Sequence, residues 1–378
     1  MSLLRLVSEY SYQDILEAYL DCRKHKSTTK AALWFKLNFE KELVKLLDEV
    51  NSGTYQIGST QAFVITNPKV REVWAASFRD RIVHHLVCRD IMPFYQKRFI
   101  EDTYACLPAR GTLAASLRAE KFCRSVTKNW SRVGYVLQVD IANYFMSIYR
   151  PILWDILRKD LGEDSLTSRL VKQIVFHDPT KNAYIVKNSD FSIVPYHKSL
   201  WNRPPGYGLP IGNLTSQWFS NIYLNEFDHF VKHTLKAKCY VRYVDDAVFM
   251  HTDRDKLWQW KDEVDNWLRT NRKLHLHPDK IHVSAIHNGI DFVGRRILPW
   301  RSVPRRMTVA SANSAASIVC DMEDDERHIA SVNSYLGLIR HSDAYRMRKH
   351  LCSTVTSHDG LGCDRLYTKV FRDRAKVA

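Results

Sequence analysis

Hydrophobic positions recur at helical spacing over the first fifty residues of the chain. In "NFEKELVKLLDEVNSG" the apolar residues from Phe39 to Leu47 share one face of a helix, and the pattern stops at Asn51-Ser52-Gly53. Residues 10–52 are therefore predicted to be helical. Two short strand-like runs follow, "AFVITNP" and "EVWAAS", and then a basic helical segment, "FRDRIVHHLVCRDIMPFYQKRF".

The middle of the chain alternates between strand and helix patterns. "RVGYVLQVDIANYF" predicts a buried strand that ends at Asp140, and residues 150–178 are predicted to be helical. Residues 179–207 are polar and rich in Pro, Lys and Asn, which is typical of a loop or a short hairpin insertion. "NLTSQWFSNIYLNEFDHFVKHTL" has its aromatic residues at helical spacing and predicts a helix with a packed face.

The last third begins with a predicted strand hairpin, "KCYVRYVDDAVFM". An amphipathic helix, "KLWQWKDEVDNWLRTN", and a strand pair, "NGIDFVGRRILPW", follow it. From about residue 303 basic helical stretches dominate, so we expect a domain boundary near Trp300. Strands mixed with helices without strict alternation predict an α+β core with a helical C-terminal domain.

The net charge of the chain indicates the chemical class of its binding partner. The chain has 378 residues, of which 45% are hydrophobic, and a formal net charge of +15. Such a surplus favours a polyanionic partner, most often nucleic acid, although a merely basic protein would have the same charge. The N-terminus does not resemble a signal peptide, and no apolar stretch is long enough to span a membrane. Eight cysteines without a C-x-x-C pair indicate reduced thiols of a cytoplasmic protein, with neither zinc site nor disulfide framework.

Two adjacent acids, Asp245 and Asp246, interrupt the apolar hairpin. Burying an unpaired carboxylate costs several kcal/mol, and two neighbouring ones repel each other, so the pair requires a compensating cation. Mg²⁺ prefers oxygen ligands of this kind. If the strand ending at Asp140 is a neighbour, the three acids meet at one sheet edge, as two-metal phosphoryl transfer requires. The alternative is a tight turn capped by two solvated acids.

Seven motifs then occur in the order found in reverse transcriptases. "YVDD" resembles the signature of that family, "LQVDIANYFMSI" its preceding motif, and "GLPIGNLTSQWFSNIYLNEFD" the motif between them. "LHLHPDKIHV" and "GIDFVGRRI" resemble the two later palm motifs. "NPKVREVWAASFRDRIVHHLV" and "DTYACLPARGTLAA" resemble the finger motifs of bacterial, group II intron-like enzymes. The resemblance covers roughly residues 35–350.

The resemblance implies an RNA-directed DNA polymerase, a nucleotidyltransferase, with an α+β right-hand fold. The implied domains are an N-terminal helical extension (1–57), fingers (58–134), a palm (135–300, with an insertion at about 179–207) and a helical thumb (301–378). The implied cofactor is Mg²⁺, as two ions, with Mn²⁺ as an alternative. The implied partners are an RNA template, which can be a dedicated noncoding RNA, a DNA or RNA primer and deoxynucleoside triphosphates, with an accessory protein or second polymerase subunit left open.

The diversity-generating retroelement branch is the most similar. Where intron-type enzymes carry Gln-Gly and Ser-Pro, this chain has Ile211-Gly212 and Ser216-Gln217. In that branch the apolar residue at the Gln position is associated with error-prone copying of template adenines. "PKVREVWAASFRDR" departs from the branch's usual segment, and related enzymes of phage defence share much of the pattern, so both settings stay open.

The resemblance also implies roles around the nucleotide. Asp140 and Asp245 match metal ligands, the Ile141 carbonyl a third ligand, and Asp246 a supporting acid. Phe145 matches the aromatic residue that excludes a 2′-hydroxyl, although it or Tyr144 must be a core residue. Further residues are expected to contact the nucleotide: Lys69, Arg71, Ile211, Gly212, Gln217 and Lys280. For Lys69, Arg71 and Lys280, an ordinary solvated surface is the alternative.

A second group is expected to contact nucleic acid. Arg79, Arg81 and Arg110 match positions near template phosphates. Gly208, Pro210, Ile211 and Gly212 form a tight loop whose glycines let the backbone approach the nascent base pair. Gly294 fits a strand close to the primer, or a simple bulge. Arg340, His341, Arg346, Arg348 and Lys349 are expected on one thumb helix that binds the template–primer duplex; a charged face of an ordinary helix is the alternative.

Two further alternatives concern function. The chain could be a catalytically silent RNA-binding, maturase-like protein, although it keeps all three acids. It could also carry out protein-primed or noncoding-RNA-templated DNA synthesis.

Overall fold

The computed structural model describes residues 4, 7–24, 29–67, 69–317, 325–357 and 360–372. Its α-helices are α1 Tyr12–Arg23, α2 Lys30–Leu37, α3 Phe39–Asn51, α4 Phe78–Arg98, α5 Thr112–Val126, α6 Tyr144–Ser147, α7 Arg150–Leu161, α8 Leu166–Phe176, α9 Leu214–Tyr223, α10 Asn225–His229, α11 Arg254–Arg272, α12 Arg306–Ala316, α13 Asp325–Ile339 and α14 Tyr345–Thr356. Its strands are β1 Thr60–Ile65, β2 Arg71–Ala75, β3 Thr103–Tyr104, β4 Tyr135–Asp140, β5 Ala183–Ile185, β6 Tyr240–Tyr243, β7 Asp246–His251, β8 His282–Ala285, β9 Ile290–Phe292, β10 Arg295–Leu298, β11 Arg301–Pro304, β12 Leu361–Cys363 and β13 Val370–Arg372.

The central sheet has the strand order β3-β6-β7-β4-β8 and is antiparallel except where β3 pairs with β6. Side chains alternate between its faces because the period of a strand is two. Leu137 and Val139 lie in the large core that includes residues of α11. Val136 lies in a second core with residues of α5. The sheet is therefore buried on both faces, as its apolar strands predict.

The N-terminal helices pack against this core rather than standing apart from it. α1 lies along α4, and its buried residues join the core that contains α9 and α11. Just before α1, the Tyr10 hydroxyl donates a 2.6 Å hydrogen bond to Asp90 of α4 and lies 2.9 Å from Thr167 of α8. The first helices therefore stabilise the core on the side of the central sheet that faces α11.

The N-terminal sheet has the strand order β2-β1-β5. β1 and β2 form the hairpin that the sequence predicts. β5 comes from the region 179–207 and pairs in parallel with β1, with Tyr184 beside Gln61. This region was expected to form a loop or a short hairpin, and the hairpin expectation is wrong: its strand is the third strand of an existing sheet.

Past residue 290 the chain forms a third sheet and a helical region. β9, β10 and β11 pair in sequence, so this sheet continues across Trp300, near which a boundary was expected. Helices α12 to α14 pack around their own core and against the hairpin β12–β13. The mixture of helices and antiparallel sheets confirms the predicted α+β class. In the described part of the chain, no helix is both long and apolar enough to cross a bilayer.

Candidate active site

Three aspartates meet at one edge of the central sheet. Asp140 is the last residue of β4, and its partner in the register on β7 is Asp246. β6 and β7 are joined by a two-residue turn, Val244 and Asp245, which we call the acidic turn. The Asp245 carbonyl accepts a 3.3 Å hydrogen bond from the amide of Ile141, the residue after Asp140. Neighbouring strands thus bring together the three acids that were predicted to meet.

Burial and neighbouring charges raise the pKa of two of these acids, Asp245 and Asp246. Burial, followed by the charges of Asp246 and Asp140, raises the pKa of Asp245 to about 7. The pKa of Asp246 is raised as well, by burial, by the charge of Asp140 and by a hydrogen bond to the Asp140 side chain, although part of this residue faces solvent. Like charges this close favour uptake of a proton or a cation.

Two basic residues partly balance the three acids. Lys280 Nζ lies 2.8 Å from Asp140 Oδ2, and the charge of Arg305 lowers the pKa of Asp246. Arg305 also lies 3.7 Å from Asp291 and was not among the residues singled out from the sequence. Its only sequence signal is its place in the basic run "RSVPRR" at the end of a strand.

The three acidic side chains at this edge offer carboxylate oxygens as metal ligands, and oxygen ligands suit a hard divalent cation. Lys280 is a cation itself and is not a ligand. Among the described residues, however, no three His, Cys, Asp or Glu side chains already converge as a complete ligand set. Asp140 instead shares a hydrogen bond with Asp246 and an ion pair with Lys280. The residue types fit a metal, and binding one would require these contacts to rearrange. The backbone hydrogen bonds on either side of the Ile141 carbonyl are donated by the Ala142 amide, to the His275 carbonyl, and by the His277 amide, to the Asp140 carbonyl.

Arg242, a residue that the sequence analysis missed, holds the acidic turn from inside the protein. Its side chain is fully buried and makes two bonds to Asp228, of 2.7 and 2.6 Å. A third guanidinium nitrogen donates to the Val244 carbonyl at 2.8 Å. Val244 has φ +58°, which is unfavourable for a β-branched residue. The sequence signal was a single arginine within the apolar run "CYVRYV".

The partner of Arg242 is fully satisfied. Asp228 also accepts hydrogen bonds from the Tyr240 hydroxyl at 2.7 Å and the Thr103 hydroxyl at 2.6 Å. A buried ion pair is tolerated when such extra bonds compensate for lost hydration. The network ties α10, β3 and β6 to the acidic turn, so these elements together fix where the turn lies.

The two aromatic residues after Asp140 have different environments. Tyr144 is buried, and its hydroxyl bonds to the Ser220 carbonyl of α9 at 2.5 Å. Phe145 is only half-buried, and its carbonyl accepts a 2.8 Å bond from the Leu209 amide. Tyr144 is therefore the core residue of the pair. Phe145 stays the candidate for contact with the sugar.

The loop Gly208–Gly212 packs against the N-terminal sheet and against the region 179–207. Trp74 of β2 donates a 2.7 Å bond to the Ile211 carbonyl. Gly212 has φ +121°, and a Cβ there would lie 2.8 Å from Val73. A Cβ at Gly208 would lie 2.5 Å from Leu200. In the structure these glycines permit close packing of protein against protein, and their expected approach to the base pair stays a prediction.

Ile211 and Gln217, which are both expected to contact the nucleotide, differ in exposure to solvent. Ile211 is half-buried against the small cluster that contains Trp74 and Leu200. Gln217 is exposed on α9, between neighbours that are buried. Gln217 is thus accessible to a ligand, whereas Ile211 acts partly as a packing residue.

Comparison with known proteins adds the family. The model of the reverse transcriptase (RNA-dependent DNA polymerase) family matches residues 66–297, more than half of the chain and all three aspartates. The chain belongs to the reverse transcriptase family. This match confirms the predicted enzyme class, RNA-directed DNA polymerase. The match and the observed sheets and helices together confirm the predicted α+β right-hand polymerase fold.

Individual relatives are distant. Protein YkfC of Escherichia coli (strain K12) is 25% identical over 308 residues, which cover 71% of this chain and 74% of that protein. Apo telomerase from Candida tropicalis, truncated from the C-terminal domain, has 14% identity and a TM-score of 0.47, with 66% of this chain and 55% of that one covered. Telomerase from Candida albicans in complex with a fragment of telomeric RNA has 11% identity and a TM-score of 0.43, with 86% and 61% covered.

The two residues of this reverse transcriptase that are predicted to bind the triphosphate of the nucleotide lie at the N-terminal sheet. Arg71 begins β2 opposite Ile65, and Lys69 is in the preceding turn. Both are exposed. Their contact with a nucleotide stays a prediction.

The three arginines predicted near the template have internal partners. Arg79 forms an ion pair with Glu49 of α3 and lies 5.0 Å over the Tyr55 ring. It therefore anchors the N-terminal helices, and its contact with template phosphates stays a prediction. Arg81 bonds to a backbone carbonyl at 2.9 Å and Arg110 to another at 2.8 Å. Both of these are half-buried, and a role in template binding stays a prediction for them.

Gly294 is part of a tight hairpin turn. Phe292 and Arg295 are paired, and Val293 and Gly294 between them have φ +42° and +87°. Two positive φ angles in a two-residue loop are typical of a type I′ turn. Nothing lies within 4 Å of a Cβ built on Gly294. The turn, rather than a bulge, explains the glycine, and the space beside it is open.

The basic residues of the C-terminal region lie on two elements, not on one helix as expected. Arg340 and His341 are in the turn after α13, and Arg346, Arg348 and Lys349 are in α14. Arg348 donates to the Arg340 carbonyl at 3.3 Å. Arg346 and Lys349 are exposed. The turn borders a cleft of about 770 Å³ that includes Arg340, Arg346 and Arg348, so these cations still share one surface.

Proposed function

We propose that the chain copies RNA into DNA by two-metal nucleotidyl transfer, with Mg²⁺ as the resident ion and Mn²⁺ as an alternative. The observation that supports this most directly is the meeting of Asp140, Asp245 and Asp246 at one edge of the central sheet. Carboxylate oxygens are the ligands that Mg²⁺ prefers. An acidic turn held from inside by Arg242 at 2.8 Å is costly for a protein that only binds RNA.

Each residue at the site has a proposed role. Asp140 and Asp245 hold the ions, with the Ile141 carbonyl as a further ligand and Asp246 as support. When bound, the ions lower the pKa of the attacking 3′-hydroxyl and steady the leaving pyrophosphate. Lys280, which lies 2.8 Å from Asp140, supplies a cation or a proton to that pyrophosphate.

Substrate selection is proposed for Phe145, which follows Asp140 along the chain, and for residues of the N-terminal sheet and α9. The half-buried ring of Phe145 excludes a 2′-hydroxyl and so selects deoxynucleotides. Exposed Lys69 and Arg71 bind the triphosphate, because guanidinium and ammonium groups suit phosphate oxygens. Gln217 faces the template or the nucleotide. The net charge of +15 supports binding of an RNA template and a primer.

The domain division is part of the proposal. Residues 1–57 extend the fingers (58–134), residues 135–300 form the palm with its insertion, and residues 301–378 form the thumb. The open space beside Gly294 supports contact with the primer, and the cleft lined by Arg340, Arg346 and Arg348 supports contact with the duplex.

A primer-extension assay tests the chemistry. Purified protein with an RNA template, a primer, deoxynucleotides and Mg²⁺ should extend the primer, and Asp245→Ala should abolish extension. Asp262→Ala is the matched control, since Asp262 is an exposed aspartate on α11. Equal extension by Asp245→Ala and the parent would disprove the site assignment. RNA binding without extension by the parent would favour the silent, maturase-like alternative.

The biological setting is proposed as either a diversity-generating retroelement or an antiphage defence system. Ile211 supports the first, because an apolar residue at this position accompanies error-prone copying in that branch. Ile211→Gln should then change misincorporation opposite template adenine, and an unchanged error spectrum would count against it. Sequencing the copurifying nucleic acid would identify the template, and would reveal protein-primed or noncoding-RNA-templated synthesis.

A further inference from the structure

Three consecutive residues after α5 have left-handed backbone angles. Lys128, Asn129 and Trp130 have φ +48°, +59° and +70°. The Trp130 amide donates to the Thr127 hydroxyl at 2.9 Å, and that hydroxyl donates to the Cys123 carbonyl at 2.7 Å. Left-handed angles are unfavourable for residues with side chains, and they occur preferentially at sites that bind ligands. The turn thus fixes the backbone of Trp130 in an unfavourable conformation.

Trp130 forms the base of an aromatic cluster that has one exposed ring. Its side chain is 8% exposed, and its ring centroid lies 6.1 Å from that of His287 and 6.5 Å from that of Trp300. Trp300 is 63% exposed and also has a left-handed angle, φ +65°. The Trp130 Nε1 donor is buried and has no hydrogen-bond partner among the described residues, although buried donors are normally satisfied. The cluster thus presents a large ring to solvent beside an unused donor.

Cations border this cluster. Lys128, Arg132 and Arg301 are all exposed; two of them lie close to Trp130 in the chain, and the third follows Trp300. The nearest acids on either side of Trp130 lie ten positions away in the sequence. We call these five residues the far patch. An exposed ring among cations is typical of a surface on which unpaired bases stack.

Two acids on neighbouring elements already have basic partners. Glu120 of α5 lies 2.9 Å from Arg124, whose guanidinium lies 5.7 Å over the Trp300 ring. Asp291 of β9 lies 3.8 Å from Arg296. These ion pairs leave the exposed cations of the far patch without a compensating acid of their own, so the surface favours an anionic ligand.

The far patch lies at the opposite end of the central sheet from the three aspartates. Trp130 precedes β4, whereas Asp140 is the last residue of that strand. Five residue steps separate the two ends of β4 by about 17 Å. Trp300 likewise follows β10, whose other end carries the Gly294 turn. A strand bound at the far patch is therefore remote from the base being copied.

We infer that the far patch is a second nucleic-acid site, which stacks an unpaired RNA base on Trp300 and holds the RNA outside the stretch being copied. The inference rests on the proposed function for its choice of RNA. Positive charge favours nucleic acid over a protein. The exposed ring favours an unpaired strand over a duplex, because the bases of a duplex are already stacked on one another.

Binding of a free strand with the catalytic cleft filled tests the inference. An unlabelled template–primer with a long template overhang is added at saturating concentration, and fluorescence anisotropy measures binding of a labelled single-stranded RNA octamer. The parent should bind the octamer. Trp300→Asn should bind it at least about fivefold more weakly, because Asn tolerates the left-handed angle but has no ring. Trp300→Tyr should bind nearly as tightly as the parent, since its ring can still stack.

Trp34→Asn is the matched control. Trp34 is 57% exposed on α2, a helix that also carries Lys30 and Lys36. This variant should bind the octamer as the parent does, and an equal loss in both variants would overturn the assignment to the far patch. A DNA octamer is measured in parallel, and tighter binding of DNA than of RNA would overturn the choice of RNA. If Trp300→Asn lost a copurifying protein but kept the octamer, the patch would be a protein interface and the inference would fail.

Salt dependence tests the cations of the far patch. Replacing both Lys128 and Arg301 by Gln should flatten the slope of log K against log salt for the octamer by about 1.4, at about 0.7 per contact with a single strand. An unchanged slope would overturn the inference, because the patch would then not contact phosphates.

Primer extension separates this inference from the proposed function. On a short template, Trp300→Asn should extend the primer at the rate of the parent, because the patch is remote from the aspartates; a loss of extension would overturn the inference. If the parent extends primers and Trp300→Asn binds the octamer as tightly as the parent, the inference fails and the proposed function stands. If Trp300→Asn weakens octamer binding but the parent extends no primer, the site stands and the proposed function fails.

Discussion

Arg242 carries a charge into the interior, and its bonds explain how the acidic turn keeps an unfavourable backbone angle. Val244 at φ +58° costs on the order of 1–3 kcal/mol. The guanidinium offsets this by donating to the Val244 carbonyl at 2.8 Å while two bonds to Asp228 hold it in place. Removing one partner of a buried pair typically costs about 3–5 kcal/mol.

Arg242→Met should therefore lose both stability and activity. We expect the free energy of unfolding in urea to fall by about 3–5 kcal/mol, and primer extension to fall by more than the unfolded fraction explains. Arg272→Met is the control, because Arg272 is also buried and paired, with Glu226, and its other hydrogen bonds go to the Tyr223 and Asn271 carbonyls rather than to the turn. Similar extension by the two variants at a temperature where both are folded would contradict the positioning role.

Lys280 offers a test at the sheet edge itself. It is half exposed and 2.8 Å from Asp140, so solvent limits the ion pair to about 1 kcal/mol or less. If Lys280 competes with a cation for Asp140, Lys280→Gln should lower the Mg²⁺ concentration that half-saturates extension, by at most about fivefold. Lys280→Arg should leave that concentration near the parent value. An increase in Lys280→Gln would show that the lysine does not compete.

Single residues were predictable from the sequence where they end or interrupt an apolar strand. Asp140, Asp245 and Asp246 stand out in this way, and the structure brings them together. Arg242 was missed because a strand pattern does not show which buried residue will find a partner; Asp228 lies on a different element, 14 positions away. The sequence likewise gives no sign of the ion pair between Arg79 and Glu49.

At the scale of elements, local patterns found the long helices and the hairpins β1–β2, β6–β7 and β9–β10, but neither the hairpin β12–β13, in a region expected to be helical, nor the contacts between distant segments. β5 was assigned to a loop or hairpin because three residues carry little signal, and its pairing with β1 is set by a partner more than a hundred positions away. The predicted single thumb helix is broken at Asp343. The amide and carboxylate of Asp343 bond to the backbone of Ser302, at 2.7 and 2.8 Å.

Contact between the loop Gly208–Gly212 and β2 can be tested at Gly212. A side chain there meets a positive φ and a 2.8 Å clash with Val73. Gly53→Ala meets only the positive φ, since nothing lies within 4 Å of its Cβ. We expect Gly53→Ala to cost about 1 kcal/mol and Gly212→Ala clearly more, measured by urea unfolding. Equal costs would mean that the loop moves freely away from β2.

At the scale of the whole molecule, the net charge of +15 is informative only through its distribution. Arg346 and Lys349 are exposed beside the C-terminal cleft, whereas Arg348 is engaged with a carbonyl at 3.3 Å. The sequence predicted a basic C-terminal region. It could not tell the exposed cations from the engaged one, because that depends on the turn between α13 and α14.

Salt dependence tests which cations bind phosphates. Replacing Arg346 and Lys349 by Gln should flatten the slope of log K against log salt for a template–primer duplex by about 1.4 to 1.8, at about 0.7–0.9 per lost contact. Replacing the exposed Lys41 and Lys45 of α3 removes the same charge elsewhere. That control should leave the slope nearly unchanged; equal flattening in both would indicate a general effect of net charge.

The sheet β9–β10–β11 determines how the chain can be divided for expression. A fragment that ends at residue 300 would keep β10 but lose β11, its hydrogen-bonded neighbour. The exposed edge would invite pairing between copies and aggregation. The separate C-terminal fragment would carry the missing strand, together with Asp343 and its anchor Ser302. Mixed together, the two fragments have the means to reassemble by strand addition, which makes residue 300 a natural junction for a split polymerase.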